Sequence, residues 1–126
     1  MSVMRFRAVA TLALFVLLAS CKKGGQARLQ GHWKGIKAVG VSDTVLSSAN
    51  LYAAQMELDF KDDKVKVVSG SDTQSGRFKI VREDKASVVL TTDGDGPTDE
   101  QTFTFEDEKT MRWTVTPGKT IQFQRQ

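Results

Sequence analysis

Gln55-Met56-Glu57-Leu58-Asp59-Phe60-Lys61, then Asp62-Asp63, then Lys64-Val65-Lys66-Val67-Val68-Ser69, is the stretch that decides the fold. Met56, Leu58 and Phe60 alternate with Glu57, Asp59 and Lys61, which puts one apolar and one charged face on an extended strand. The Asp-Asp pair is a tight turn, after which Val65 and Val67 return to the apolar side. Two half-buried strands joined by a short turn make a β-hairpin.

The same pattern continues on both sides. Gly31 to Val39 reads as a first strand. Ser69 to Ser75 is a Gly/Ser/Asp loop, and Arg77 to Arg82 turns Phe78 and Ile80 inward. Ala86 to Thr92 places Val88 and Leu90 inside, and Gln101 to Glu106 offers Phe103 and Phe105. Lys109 to Thr116 offers Met111, Trp113 and Val115. Pro117-Gly118 is a type II turn signal, and Lys119 to Arg125 closes with Ile121 and Phe123. Eight strands in a hairpin meander remove their exposed edges by closing on themselves. The expected fold is all-β: a small antiparallel up-and-down barrel over residues 30–126.

One segment departs from period two. Val45, Ala49, Tyr52 and Met56 recur at helical spacing, with Asp43 or Thr44 as N-cap. The expectation is a short helix over one barrel mouth, either a lid over a ligand or a plug completing the core.

The chain opens differently. Arg5 and Arg7 precede an apolar run from Ala8 to Ala19, interrupted only by Thr11. That run is shorter than the roughly 20 residues a membrane-spanning helix needs, and small residues close it, so it reads as a cleaved secretory leader of residues 1–20. Leu18-Ala19-Ser20-Cys21 resembles the lipobox of bacterial lipoprotein signal peptides at every position. The resemblance implies cleavage between Ser20 and Cys21 and acylation of the Cys21 thiol. The acyl chains would hold the protein on a membrane, since two or more are enough for stable anchoring. Lys22 follows the cysteine where an aspartate would imply inner-membrane retention, so the resemblance implies an outer-membrane anchor facing the periplasm. Residues 21–29 then form the lipidated cysteine and a flexible tether, Lys22 to Arg28.

Without the leader, 18 Lys+Arg less Arg5 and Arg7 leaves 16 against 15 Asp+Glu, a net charge of +1. Such a balance gives no basic face for nucleic acid. Cys21 is the only cysteine, so the domain is stabilised by packing without a disulfide.

Gly31-His32-Trp33-Lys34-Gly35 resembles the Gly-x-Trp motif that opens the first strand of lipocalins and their calycin relatives. A helical connector, a meander and a last strand ending in Phe123-Gln124-Arg125 extend the likeness. It implies that an arginine, Arg125 or Arg112, packs across Trp33 and closes the barrel bottom. It also implies a small apolar ligand or lipid in the interior, with Tyr52, Phe60, Phe78, Phe103 and Trp113 as pocket-lining candidates. An eight-stranded barrel is only just wide enough for side chains or one small ligand, and these aromatic residues compete for that space. The Gly-x-Trp-x-Gly string is also similar to nitrobindin-type haem barrels, which require a late histidine. The sole histidine, His32, lies in the first strand on the face opposite Trp33.

Catalytic and metal chemistry find no support. One histidine and no free thiol leave no Cys–His pair and no multi-histidine zinc site. Asp93 to Glu100 fails the EF-hand pattern at Pro97, Thr98 and Thr104, although Asp93, Asp95 and Asp99 remain as a looser set. The sequence therefore predicts no enzyme, cofactor or metal. It leaves two functions: a ligand-holding barrel, or an envelope protein–protein or inhibitor module using loops 69–75 and 92–100.

Overall fold

The computed structural model describes residues 24–93 and 100–126; Ser20, Cys21 and the cleavage site lie outside them. The expected architecture holds. Eight antiparallel strands follow one another in sequence order and close into a barrel: β1 (Gly31–Val39), β2 (Met56–Lys61), β3 (Lys64–Ser69), β4 (Asp72–Glu83), β5 (Ser87–Thr92), β6 (Gln101–Phe105), β7 (Thr110–Thr116) and β8 (Lys119–Arg125). Closure is made by β8 pairing with β1, Trp33 opposite Arg125 and Gly35 opposite Phe123. Helix α1 (Gly25–Leu29) precedes β1, and α2 (Asp43–Ala54) links β1 to β2.

The period-two reading of residues 55–69 survives intact. Met56, Leu58, Phe60 and Val65 are buried while Lys61, Lys64 and Lys66 are exposed. They join Trp33, Phe78, Val88, Leu90, Phe103, Met111, Ile121 and Phe123 in one core. Three β-bulges break the alternation elsewhere. The extra residues are Ile36 in β1, Val81 in β4 and Val115 in β7, and each is turned outward. Val115 was expected inside; the bulge before Thr116 reverses its face.

The tether expectation also needs correction. Gly25 to Leu29 is helical, Leu29 is fully buried, and the Gly25 N–H donates to Glu83 Oε1 at 2.9 Å. The segment Gly25–Leu29 is therefore part of the folded barrel unit. An isolated five-residue helix is not stable in water, so α1 owes its form to what it docks against.

In α2 the N-cap is Ser42, one residue before Asp43 and two before Thr44, the expected positions. The side turned to the barrel runs Ala49, Asn50 and Ala53, with only Ala53 fully buried; Val45, Leu46 and Tyr52 are exposed. Asn50 belongs to that seam because its Oδ1 accepts the Ala38 N–H at 2.8 Å. The helix end fits because Gly35 has no side chain: a Cβ there would overlap the Ala53 carbonyl oxygen. The helix packs on β1 and adds Ala53 alone to the core.

The meander gives the barrel two distinct ends. Helix α1, the β2–β3, β4–β5 and β6–β7 turns and the end of β8 share one. Helix α2 and the β3–β4 and β7–β8 turns share the other.

Candidate functional site

The α1 end is sealed by two arginines and two aromatic rings. The Arg125 guanidinium sits 4.3 Å from the Trp33 ring centroid. Trp33 meets Phe105 edge-on at 6.2 Å, and the Arg28 guanidinium lies 5.1 Å from the Phe105 centroid. Trp33 is fully buried, and its Nε1–H donates to Leu29 O at 2.8 Å. Arg125 donates to three carbonyls: Arg28 O at 2.7 Å, Glu108 O at 3.0 Å, and Gln30 O. Two of these belong to the end of α1, where carbonyls lack intrahelical partners. Burial lowers the Arg125 pKa, and the guanidinium remains charged at neutral pH.

Arg112, the other candidate for this position, instead pairs with Glu106 at 3.0 Å. Arg28 anchors α1 from its other side, donating to Lys85 O and Asp84 O at 2.8 Å each. Sequence reasoning assigned Arg28 to the tether and missed it. The only signal was Leu29, an isolated apolar residue just before the Gly-x-Trp string.

The interior contains a cavity further up the barrel. Its walls are Leu58 and Phe60 from β2, Val65 and Val67 from β3, Leu90 from β5, Phe103 from β6 and Trp113 from β7. The rim is polar: Gln74 and Ser75 of β4, Thr92 and Asp93 at the end of β5, and Gln101. The cavity volume is about 70 Å³.

The opening has a structural origin. β4 pairs with β3 from Asp72 onward, but with β5 only from Phe78, so among the described residues its first half has no strand partner on that side. At Gly76 a Cβ would overlap the Asp93 carbonyl oxygen. Arg77 and Asp93 are held together there, Asp93 N–H to Arg77 O at 2.9 Å and Arg77 N–H to Asp93 Oδ1 at 2.7 Å.

Of the sequence-derived pocket candidates, Phe60, Phe103 and Trp113 line this cavity. Phe60 packs edge-on against Phe103 at 5.8 Å and against Phe78 at 5.4 Å. Phe78 therefore supports the wall from behind without lining it. Tyr52 is a correction: it is 54% exposed on the outer side of α2, away from the lining. The helical spacing chose it, but the seam runs one residue out of phase with that choice. Gln74, Ser75 and Gly76 were missed because their composition is that of a loop, whereas β3 and β4 are joined by a turn at Gly70 and Ser71 alone. Most of the second expected loop, residues 94–99, lies outside the described residues, including Asp95 and Asp99.

His32 is exposed, with Nε2 2.7 Å from Glu57 Oε1. It reaches neither the cavity nor the Trp33 cluster. Among the described residues no group of three or more His, Cys, Asp or Glu side chains is placed to hold a metal ion. No family model and no curated protein matches the chain.

Proposed function

We propose that this protein is a non-catalytic, lipid-anchored barrel of the bacterial cell envelope that holds the apolar end of a slender small molecule. The observation that carries the ligand reading is the cavity, an apolar funnel of seven hydrophobic side chains opening through a polar rim between β4 and β6. The anchor reading rests on Leu18-Ala19-Ser20-Cys21 and the apolar run before it.

Size restricts the ligand. Pockets for drug-sized ligands commonly measure about 300–1,000 Å³, and the cavity here is about 70 Å³. A cavity this far below that range takes the end of a single chain and has no room for haem or a fused-ring lipid. At about 0.8 kcal/mol per buried methylene, three contribute ~2.4 kcal/mol, far from the ~8 kcal/mol of a micromolar complex. A useful ligand therefore also engages the rim and mouth.

Trp113 is the natural reporter, because it lines the cavity while Trp33 lies in the sealed end. Titration with n-alkyl alcohols of increasing length should shift Trp113 emission, and Trp113→Phe should abolish the response. A flat response through decanol would refute the ligand reading. Labelling of growing cells with an alkyne fatty acid should mark the wild-type chain and spare Cys21→Ala; equal labelling of both would refute the anchor.

The exposed apolar side chains Val45, Leu51 and Tyr52 on α2 favour a second reading, an envelope protein–protein or inhibitor module. Photocrosslinking from position 52 in intact cells tests it, and the absence of any adduct above background would count against it.

A further inference from the structure

Beside the cavity mouth, the outer face of β2, β3 and β4 carries a row of cations with no ion-pair partner among the described residues. Lys61 lies directly opposite Lys64, and Lys64 directly opposite Arg77. Directly opposite side chains in an antiparallel pair have Cβ atoms about 4.5–5.5 Å apart, and like charges there oppose folding. In the next row, Lys66 stands between Asp59 and Ser75. Asp62 and Asp63 form the adjoining turn, yet none of the four cations makes an ion pair with a carboxylate among the described residues. A charge arrangement that costs the fold in isolation becomes favourable once an anion sits on it.

The row is continuous with the cavity. These cations line a shallow surface cleft with Asp59 and Asp93, and the cleft shares Val65, Ser75, Gly76 and Asp93 with the cavity wall. The two meet at Gly76, where the Val65–Gly76 pair faces inward and the flanking Lys64–Arg77 and Lys66–Ser75 pairs face outward. A molecule with its apolar end between Phe60 and Trp113 would leave through the mouth past Ser75 and reach this cleft. The walls select a chain and the cleft selects a negative charge.

We infer that the ligand is a single-chain anionic amphiphile, its alkyl end in the cavity and its carboxylate or other anionic headgroup against Lys61, Lys64 and Arg77. This rests on the cavity reading above and adds the class of headgroup.

Decanoate and decanol share a chain length and differ in charge, so they separate the two claims. Each is titrated below its aggregation concentration into the full chain at low ionic strength, with Trp113 emission as the readout. Decanoate should bind about tenfold more tightly. The preference should shrink to about twofold in Lys61→Gln/Lys64→Gln/Arg77→Gln and in roughly 0.5 M salt, where screening acts within about 4 Å. Decanol affinity should not change in either case.

Equal binding of decanoate and decanol by the wild type would overturn the anionic headgroup and leave the cavity reading standing. So would a decanoate preference that survives the triple substitution. If neither compound moves Trp113 emission, the cavity reading fails and this inference fails with it. Binding to phosphatidylglycerol vesicles through the three cations, with no preference for decanoate over decanol, would assign the row to a membrane surface and overturn the proposal.

Discussion

Replacing Arg125 isolates the seal at the α1 end. Its guanidinium makes three hydrogen bonds to carbonyls and lies 4.3 Å from the Trp33 centroid. Because the group is partly open to solvent, each bond contributes about 1 kcal/mol rather than the ~1.5–3 kcal/mol of a dry charged bond. The cation–π contact adds ~0.5–1 kcal/mol. Arg125→Ala should therefore cost about 3–4 kcal/mol. Arg125→Lys should cost about 2 kcal/mol, since a lysine keeps the charge but cannot present the planar fork that reaches Arg28 O, Gln30 O and Glu108 O together. For a domain of this size each kcal/mol moves Tm by about 4–8 °C, so Arg125→Ala should melt about 15 °C or more below wild type. Arg82→Ala is the control. It removes an exposed arginine whose Nη2 lies 2.7 Å from Glu100 Oε1, a solvated pair of the kind that adds little to stability. Urea midpoints and Tm measure all three, and limited proteolysis near Arg28 should accelerate in Arg125→Ala alone. If Arg125→Ala were no more damaging than Arg82→Ala, the seal would not hold α1 in place.

Gly35→Ala should destabilise by about 1–3 kcal/mol, the range for overpacking, because its Cβ would overlap the Ala53 carbonyl oxygen; an unchanged urea midpoint would show that α2 is free to move. Val115→Thr should change stability by less than about 0.5 kcal/mol, since the bulge exposes that side chain; a loss above 2 kcal/mol would return Val115 to the core. The Asp84 carboxylate accepts the N–H groups of Ala86 and Ser87 and the Ser87 hydroxyl, and these bonds lower its pKa. A pKa lowered on folding adds stability above the unfolded value, about 3.9, and that stability is lost as pH falls toward the folded value. The stability gap between wild type and Asp84→Asn, followed by urea midpoints from pH 7 to 3, should therefore hold steady above about pH 5 and close below 4.

Much of the fold is legible because a half-buried strand writes its geometry into alternate residues. Residues 55–69 show this most plainly, and the turns after Lys61 and Thr116 confirm the meander. The misreadings cluster where a long-range contact overrides that local pattern. Helix α1 is five residues with a glycine and no apolar periodicity; its conformation is imposed by the Arg28 and Arg125 bonds and by burial of Leu29. In α2 the apolar Val45 and Tyr52 imitate a core stripe, while the real seam includes a polar Asn50 committed to Ala38. Each bulge inserts one residue, and no feature of Thr114-Val115-Thr116 marks the position. The cavity is half legible for the same reason. Phe60, Phe103 and Trp113 follow from alternation, but the opening follows from the point at which β5 leaves β4, a pairing that no single strand encodes.

Docking of α1 also alters the geometry of the proposed anchor. A tether running to Arg28 would let the barrel wander up to about 25 Å from Cys21. With Gly25 fixed to Glu83, the span from Cys21 is four residues, at most about 14 Å. The barrel end that carries α1 would then face the lipid headgroups. The β2–β3 turn belongs to that end, because Gln30 Nε2–H donates to Asp62 O at 2.8 Å and Asp62 N–H to Gln30 Oε1 at 2.6 Å. Lys61 and Lys64 flank this turn, so the cation row would lie on the membrane side of the barrel and the cavity above it. Arg77 is two strand residues from Ser75 at the rim, about 7 Å along β4. An amphiphile leaving the bilayer could therefore keep its headgroup at the level of the cations while its chain enters the barrel, with no rotation of the domain. Sealing of the α1 end by Trp33 and Arg125 is consistent with this arrangement, since a chain arriving from the membrane would use the flank opening at β4 and never the barrel axis.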